Sequence, residues 1–323
     1  MDRKPDRDDP SPVVAHAHEF PQMKDSKIEW CHHTVNFWWG CTKVSAACFF
    51  CYAEAMARIF APKTVKWGAA GARWLRGEKA GSELHGHARR AKRLGVRHRV
   101  FINSMSDTFE DNEQTADTRE YLFTRLLEVG YSLDCLLLTK RPENVLRMVP
   151  KDWLEHWPSW VWIGTTVEDQ TSADLRIPEL IKIPARVRFL SCEPLLGPVN
   201  IEDYIGDECD GGYVLGSSPI NWVICGGESG PNARPMHPDW AKSLREQCAE
   251  AAVPFFFKQW GEWTPSENIS VGNDLEFAER VDPYPAHLFI TPERVTEVHR
   301  IGKKSAGRLL DGVDHSAFPE VQS

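Results

Sequence analysis

Cys135-Leu136-Leu137-Leu138-Thr139-Lys140-Arg141-Pro142 runs from an apolar stretch directly into hydroxyl-bearing and charged residues. A run this short fits a strand buried on both faces, with the polar group after it lying at the strand's C-terminal end. The same layout recurs at Val100–Asn103, Val161–Thr166, Val187–Cys192, Trp222–Cys225 and Phe255–Lys258. Successive run ends lie 26 to 36 residues apart, the length of a strand, a loop and a crossover helix. Helix-compatible stretches fill the gaps at Thr115–Val129, Pro142–Met148 and Pro238–Ala252, the last with Trp240, Leu244 and Cys248 at four-residue spacing. With an earlier strand at Thr34–Trp39, the chain offers about six to seven βα units. No Gly-x-Gly-x-x-Gly follows the first strand. The pattern therefore favours an α/β fold built as a parallel (β/α) barrel, partial or complete, over an open doubly wound sheet.

A chain of 323 residues with 42% hydrophobic and 26% charged residues can bury a large core, which excludes a disordered or collagen-like polymer. No run approaches the roughly 18 apolar residues of a membrane span, and the first 26 residues lack a signal-peptide core. A cytoplasmic protein without a membrane partner is expected. Pro5, Pro10, Pro12 and Pro21 make residues 1–26 a flexible tail, ahead of a barrel domain over 27–263. A C-terminal extension follows over 264–323, where Gly302–Arg308 reads as an anion contact or a solvated segment. Nine cysteines are too few, and odd in number, for a secreted disulfide scaffold. Of these, Cys31, Cys135, Cys192, Cys209, Cys225 and Cys248 are scattered and read as small buried hydrophobes.

The net charge of −8 excludes an indiscriminate binder of polyanions, yet Arg73–Arg99 holds nine Lys/Arg against two acids. That segment reads either as a solvated helix face or as a phosphate-binding face. Trp74 is a candidate stacking partner there, and His85, His87 and His98 lie in the same stretch, so nucleic acid or a nucleotide is the candidate partner.

In parallel barrels the reactive groups come from the C-terminal strand ends. Asp107, Glu168, Glu193 and Glu228 facing Lys140, Arg141 and Lys258 would form a mouth suited to a zwitterionic or phosphate-bearing ligand. Each of these is also open to reading as a cap or an ion pair. A metal-free hydrolase using Asp107, Glu168 and Glu193 is one function such a mouth allows. Cys41-Thr-Lys-Val-Ser-Ala-Ala-Cys48-Phe-Phe-Cys51 is the sharper signal. Three thiolates on one loop suit an iron–sulfur cluster with one iron left open. Zinc, with Cys31, His32 or His33 as fourth ligand, would instead make a non-catalytic interaction protein, a phage accessory or defence factor. Three unligated core cysteines beside Phe49 and Phe50 are the plainest alternative.

A three-cysteine loop after the first strand of a partial βα barrel, with an aromatic residue before the third cysteine, resembles the radical S-adenosylmethionine (radical SAM) superfamily. The spacing is Cys-x6-Cys-x2-Cys, with a longer first gap than the Cys-x3-Cys-x2-Cys common there. Further segments are together similar to an uncharacterised phage and bacterial family of three-Cys-motif proteins, classed as radical-SAM-like. They include Ile28–Trp30, Trp39–Ser45, Cys51–Glu54, Ser106-Asp107, Leu138–Pro142, Gly164–Glu168, Ser191–Leu195, Gly226–Gly230, Phe257–Gly261 and Gly302–Gly312. The resemblance implies that Cys41, Cys48 and Cys51 ligate three irons of a [4Fe–4S] cluster, with S-adenosyl-L-methionine (SAM) on the fourth. Phe50 would lie beside the adenine. Ser106 and Asp107 would hold the SAM ammonium in place of the superfamily's Gly-Gly-Glu stretch, with Thr166 and Glu168 completing the cofactor site. Glu193, Glu228 and Lys140 would form the catalytic set, and Trp38, Trp39 and Trp260 would lie beside the site. The implied reaction is reductive cleavage of SAM to start radical chemistry on an unidentified substrate, fed by a ferredoxin- or flavodoxin-type reductant.

Overall fold

The computed structural model describes residues 25–206, 218–269, 285–292 and 294–320. Most of the expected 1–26 tail, and Cys209, lie outside these. Asp25 and Ser26 are placed, and both donate their backbone N–H to the His32 carbonyl at 3.1 Å.

In chain order the elements are β1 (His33–Val35), β2 (Trp38–Trp39), α1 (Tyr52–Phe60), β3 (Trp74–Leu75), α2 (Gly77–Leu94) and β4 (His98–Ile102). Next come α3 (Ala116–Val129), β5 (Leu133–Thr139), α4 (Val145–Met148), β6 (Val161–Thr166), α5 (Gln170–Ile181), β7 (Arg188–Cys192) and β8 (Trp222–Gly226). They are followed by α6 (Pro238–Glu250), β9 (Phe255–Gln259), β10 (Trp263–Pro265), β11 (Ala286–Ile290) and β12 (Val295–Arg300). Seven strands, β1 and β4 to β9, form one parallel sheet in sequence order. Strands added one after another with crossovers of one hand place their helices on one side, and the twist rolls the sheet toward the other. The result is a curled half-barrel flanked by helices.

Period-2 alternation sorts the strand residues between the two faces. Val161, Ile163, Leu190, Val223, Cys225, Phe255 and Phe257 join the larger core under the helices. Phe101, Leu136, Trp162, Phe189, Trp222, Ile224 and Phe256 point into the bore and form a second cluster with Trp30 and Cys31. Gly164 is glycine because a Cβ there would meet the Phe189 ring at 2.5 Å. The C-terminal segment is part of this plug. Phe257 donates its N–H to the His315 carbonyl, Ala317 donates its own to Phe255, and the Phe318 ring packs, tilted, 5.3 Å from both Trp222 and Phe256. The extension over 264–323 therefore includes a segment that closes the barrel floor, as well as the β10–β12–β11 antiparallel sheet.

The strand expected over Thr34–Trp39 is two strands. Val35 is the last residue paired with β4, and Trp38–Trp39 pairs antiparallel with Trp74–Leu75. Asparagine chemistry causes the break: the Asn36 carboxamide accepts the Met105 N–H at 2.8 Å, and that of Asn103 accepts the Phe37 N–H at 2.8 Å. Asn103 itself sits at φ 59°, where the short polar side chain tolerates the left-handed region.

Gly164→Ala should lower stability by about 1–3 kcal/mol through overpacking against Phe189. Thermal denaturation against the wild type checks this, and an unchanged Tm would remove the bore packing from the account.

Candidate functional site

Chain leaving β2 turns at Gly40, whose φ of 108° and contact with the Arg73 side chain explain the glycine. The loop from Cys41 to Cys51 then crosses the C-terminal ends of β4, β5 and β6. All three thiols line one cleft, enclosing about 660 Å³ with its open mouth included. Thr42, Lys43, Tyr52, Trp67, Phe101, Ser104, Ser106, Asp107, Leu138, Lys140, Arg141 and Thr166 are among the residues of its walls. The three sulfurs do not all lie within 4.8 Å of one another.

Two buried ion pairs hold the loop. Arg73 donates to Glu110 through Nε at 3.0 Å and through a terminal nitrogen at 2.7 Å. Its remaining hydrogens reach the carbonyls of Lys66, Gly68 and Gly71 and the Thr42 hydroxyl. Arg73, counted in the segment read as a solvated or a phosphate-binding face, is thus a fully buried clamp. Asp107 accepts from the Phe109 N–H at 2.9 Å, the Thr139 hydroxyl at 2.7 Å, the Lys140 N–H at 3.0 Å and Arg141 at 2.8 Å. Arg141 continues to the Thr42 carbonyl at 2.6 Å and the Cys41 sulfur at 3.8 Å. Burial pushes the Cys41 thiol up to about 12, with Asp107 and Glu110 adding to the shift and Arg141 opposing it. Burial likewise raises Cys51. A metal taken by these thiols must displace their protons.

The other strand-end carboxylates are also claimed by cations. Glu168 is buried and paired with Arg176 at 2.6 Å, on an α5 start fixed by the reciprocal Asp169–Ser172 cap. Glu228 takes the Arg234 guanidinium at 2.6 and 2.8 Å and the Arg234 N–H at 2.9 Å. The backbone carrying Glu228 is pressed against the next strand end, since a Cβ on Gly227 would lie 2.0 Å from the Trp260 carbonyl. Glu193 pairs with Lys258 at 2.6 Å and accepts from Gln259 at 3.3 Å. Burial opposes the Lys258 charge, but Glu193 outweighs it and holds the ammonium above its ordinary range. Each carboxylate of the hydrolase reading, Asp107, Glu168 and Glu193, is thus paired with a basic side chain.

Other expected residues are placed as follows. Lys140 reaches into the cleft and donates to the Thr166 hydroxyl at 3.1 Å. Ser106 lines the cleft and donates to the Trp38 carbonyl. Phe50 lies outside the cleft, half-exposed, with the Arg234 guanidinium 5.3 Å over its ring. Trp38 and Trp260 are core residues and Trp39 packs on Trp74 at 5.2 Å; Trp67 is the indole that lines the cleft. Cys31, His32 and His33, the fourth ligands considered for zinc, are all absent from the lining. Sequence reading missed Thr42, Arg141 as the loop's anchor, and Tyr52, whose hydroxyl donates to the Ser104 carbonyl at 2.7 Å. The position of Tyr52 directly after Cys51 was the available signal. In the basic segment, Arg76, Arg90 and Arg97 pair with Glu83, Asp25 and Asp134, and Arg99 stacks on Phe318 at 3.7 Å.

With this geometry in hand, the chain compares with known families as follows. The family described as Protein of unknown function (DUF5131) matches residues 25–319. The chain belongs to DUF5131. No curated protein and no solved structure matches it. The DUF5131 match spans the cysteine loop, all seven strands of the half-barrel and Phe318 at its floor, so the loop and the plug belong to the same family unit. Among the described residues no helix is long and apolar enough to cross a membrane.

Arg73→Met should cost about 3–5 kcal/mol, because it strands the buried Glu110 carboxylate, and Arg73→Met/Glu110→Leu should recover part of that loss. Urea unfolding of the three proteins tests it. A double variant no more stable than Arg73→Met alone would mean that the carbonyl contacts of Arg73, rather than the ion pair, hold the loop.

Proposed function

We propose that the protein is a radical SAM-type enzyme whose cleft holds a [4Fe–4S] cluster on Cys41, Cys48 and Cys51 and SAM at the open iron. The observation that carries this reading is the set of three thiols on one cleft at the C-terminal end of a parallel half-barrel, with no fourth cysteine or histidine among the lining residues. Three thiolates without a fourth protein ligand suit a cluster with one open iron better than a closed four-ligand zinc site. No disulfide joins the described cysteines, which suits a reducing, cytoplasmic setting.

Bound there, the cluster and SAM supply one-electron reductive cleavage, which starts radical chemistry on the substrate. The chain's own residues bind, orient and exclude water. Lys140 is the cation for the SAM carboxylate, and the Ser104, Ser106 and Thr166 oxygens are the partners for its ammonium and ribose. Asp107, with its oxygens filled by four donors, positions Lys140 and Arg141 instead of touching the cofactor. Phe101, Leu138 and Trp67 give the cleft apolar walls. Glu193 and Lys258 pair with each other on the neighbouring strand ends, outside the cleft lining, and Glu228 is tied up by Arg234. Lys79, Arg89, Lys92 and Arg93, exposed and without an ion pair among the described residues, are the part of the basic segment open to a nucleic-acid substrate. The reading requires a small electron carrier of the ferredoxin or flavodoxin type.

Anaerobic reconstitution should yield about four irons and four sulfides per chain, lost in Cys41→Ala, Cys48→Ala and Cys51→Ala, with an electron paramagnetic resonance signal of the reduced protein that SAM alters. Lys140→Ala should keep the iron and weaken the SAM effect by tenfold or more. Stoichiometric zinc without iron after the same treatment would sink the proposal in favour of a zinc-stabilised interaction protein.

A further inference from the structure

At the end of the sheet opposite the cysteine cleft, β1 and β4 begin with His33 and His98, and α2 lays His87 over them. His33 is fully buried, and its ring stacks on that of His87 at 3.9 Å with 15° between the planes. Asp25 reaches in beside them, its Oδ2 3.1 Å from His33 Nδ1 and 4.0 Å from His87 Nδ1. One ligand atom from each of the three lies within 4.8 Å of the others, and no other trio of His, Cys, Asp or Glu among the described residues does so. We propose that Asp25, His33 and His87 form a mononuclear site for a divalent late transition metal of the zinc type, separate from the cysteine cleft.

Because a metal must lie in the plane of each imidazole that binds it, the site forms when the partly exposed His87 ring turns out of its stack on His33, and three observations support it. Zinc–nitrogen bonds of about 2.0–2.1 Å put tetrahedral neighbours about 3.4 Å apart, and the two distances to Asp25 bracket that spacing. The outer side of His33 is already oriented: its Nε2 lies 3.0 Å from His98 Nδ1, the kind of contact that fixes the ring of a metal-bound histidine. Its inner nitrogen, Nδ1, is buried and makes no well-formed hydrogen bond, although the carboxylate is close. A cation between the two would satisfy both groups.

The competing cation is Arg90, 3.2 Å from Asp25 Oδ2 and 3.5 Å from Oδ1. Its side chain is partly exposed, so it can keep the outer oxygen or turn to solvent. With three protein ligands, a water is the natural fourth. The ligands come from the segment before β1, from β1 itself and from α2, at the barrel end where residues serve stability. The metal would therefore staple the segment at Asp25 to the half-barrel.

The test uses the full chain carrying Cys41→Ser, Cys48→Ser and Cys51→Ser, which removes the other metal candidate and makes the outcome independent of the iron–sulfur reading. After chelator treatment, Zn²⁺ titration followed by elemental analysis should give one equivalent. Co²⁺ should give tetrahedral absorption bands without thiolate charge transfer, and Zn²⁺ should raise the Tm. His87→Ala and Asp25→Ala should each weaken Zn²⁺ binding by tenfold or more; neither residue is deeply buried, so both variants should fold. If the triple serine variant is unfolded, His87→Ala in the otherwise wild-type chain should lower the zinc content by one equivalent. A folded triple variant that takes up no zinc, or a stoichiometry that neither single substitution changes, would overturn the assignment.

Discussion

The Asp107 carboxylate joins the sheet to the cysteine loop. It lies just beyond the end of β4, and its four donors come from its own turn and from the residues that end β5. Through Arg141 the same charge reaches the Thr42 carbonyl and the Cys41 sulfur. A buried carboxylate without such partners would be strongly disfavoured, so each donor is held in place by the cost of leaving Asp107 unpaired. The Arg73–Glu110 pair repeats this logic on the far side of the loop, closing residues 66–71 over it. A segment with few apolar contacts of its own is thereby kept against the strand ends. The exposed Phe49, Ile59 and Phe60 show how little of the loop and α1 is held by burial.

These pairings change how the strand-end charges are understood. Asp107, Glu110, Glu168 and Glu228 each have an arginine, and Glu193 has Lys258. In a low-dielectric setting a paired carboxylate is scaffold more than reagent. The groups left facing the cleft are the thiols, hydroxyls, the Lys140 ammonium and apolar walls, a composition suited to holding a cofactor and excluding water.

The strands were legible in the sequence because each is a short apolar run ended by polar residues, and the observed β6 coincides with the expected Val161–Thr166. Regular spacing also revealed that these strands are parallel and sequential. The first strand was misread as one piece because Asn36 looks like a polar interruption within an apolar run, and only its bond to the Met105 N–H shows that the chain leaves the sheet there. Phe50 looked like a cofactor neighbour from its place before Cys51, but the loop turns it outward under Arg234.

By itself, then, the sequence determined the succession of βα units of a parallel barrel, partial or complete, and the gathering of three thiols on one loop, since both are set by spacing along the chain. Tertiary structure alone decided which arginine neutralises which carboxylate, that Phe318 seals the bore, and that Asp25, His33 and His87 meet. Many of those contacts join residues tens of positions apart, and even the short-range pairs, Glu168 with Arg176, Asp25 with His33 and Glu228 with Arg234, form only once the chain is folded. They are selected by burial energy and charge pairing in the folded state, and neither leaves a local pattern in the chain.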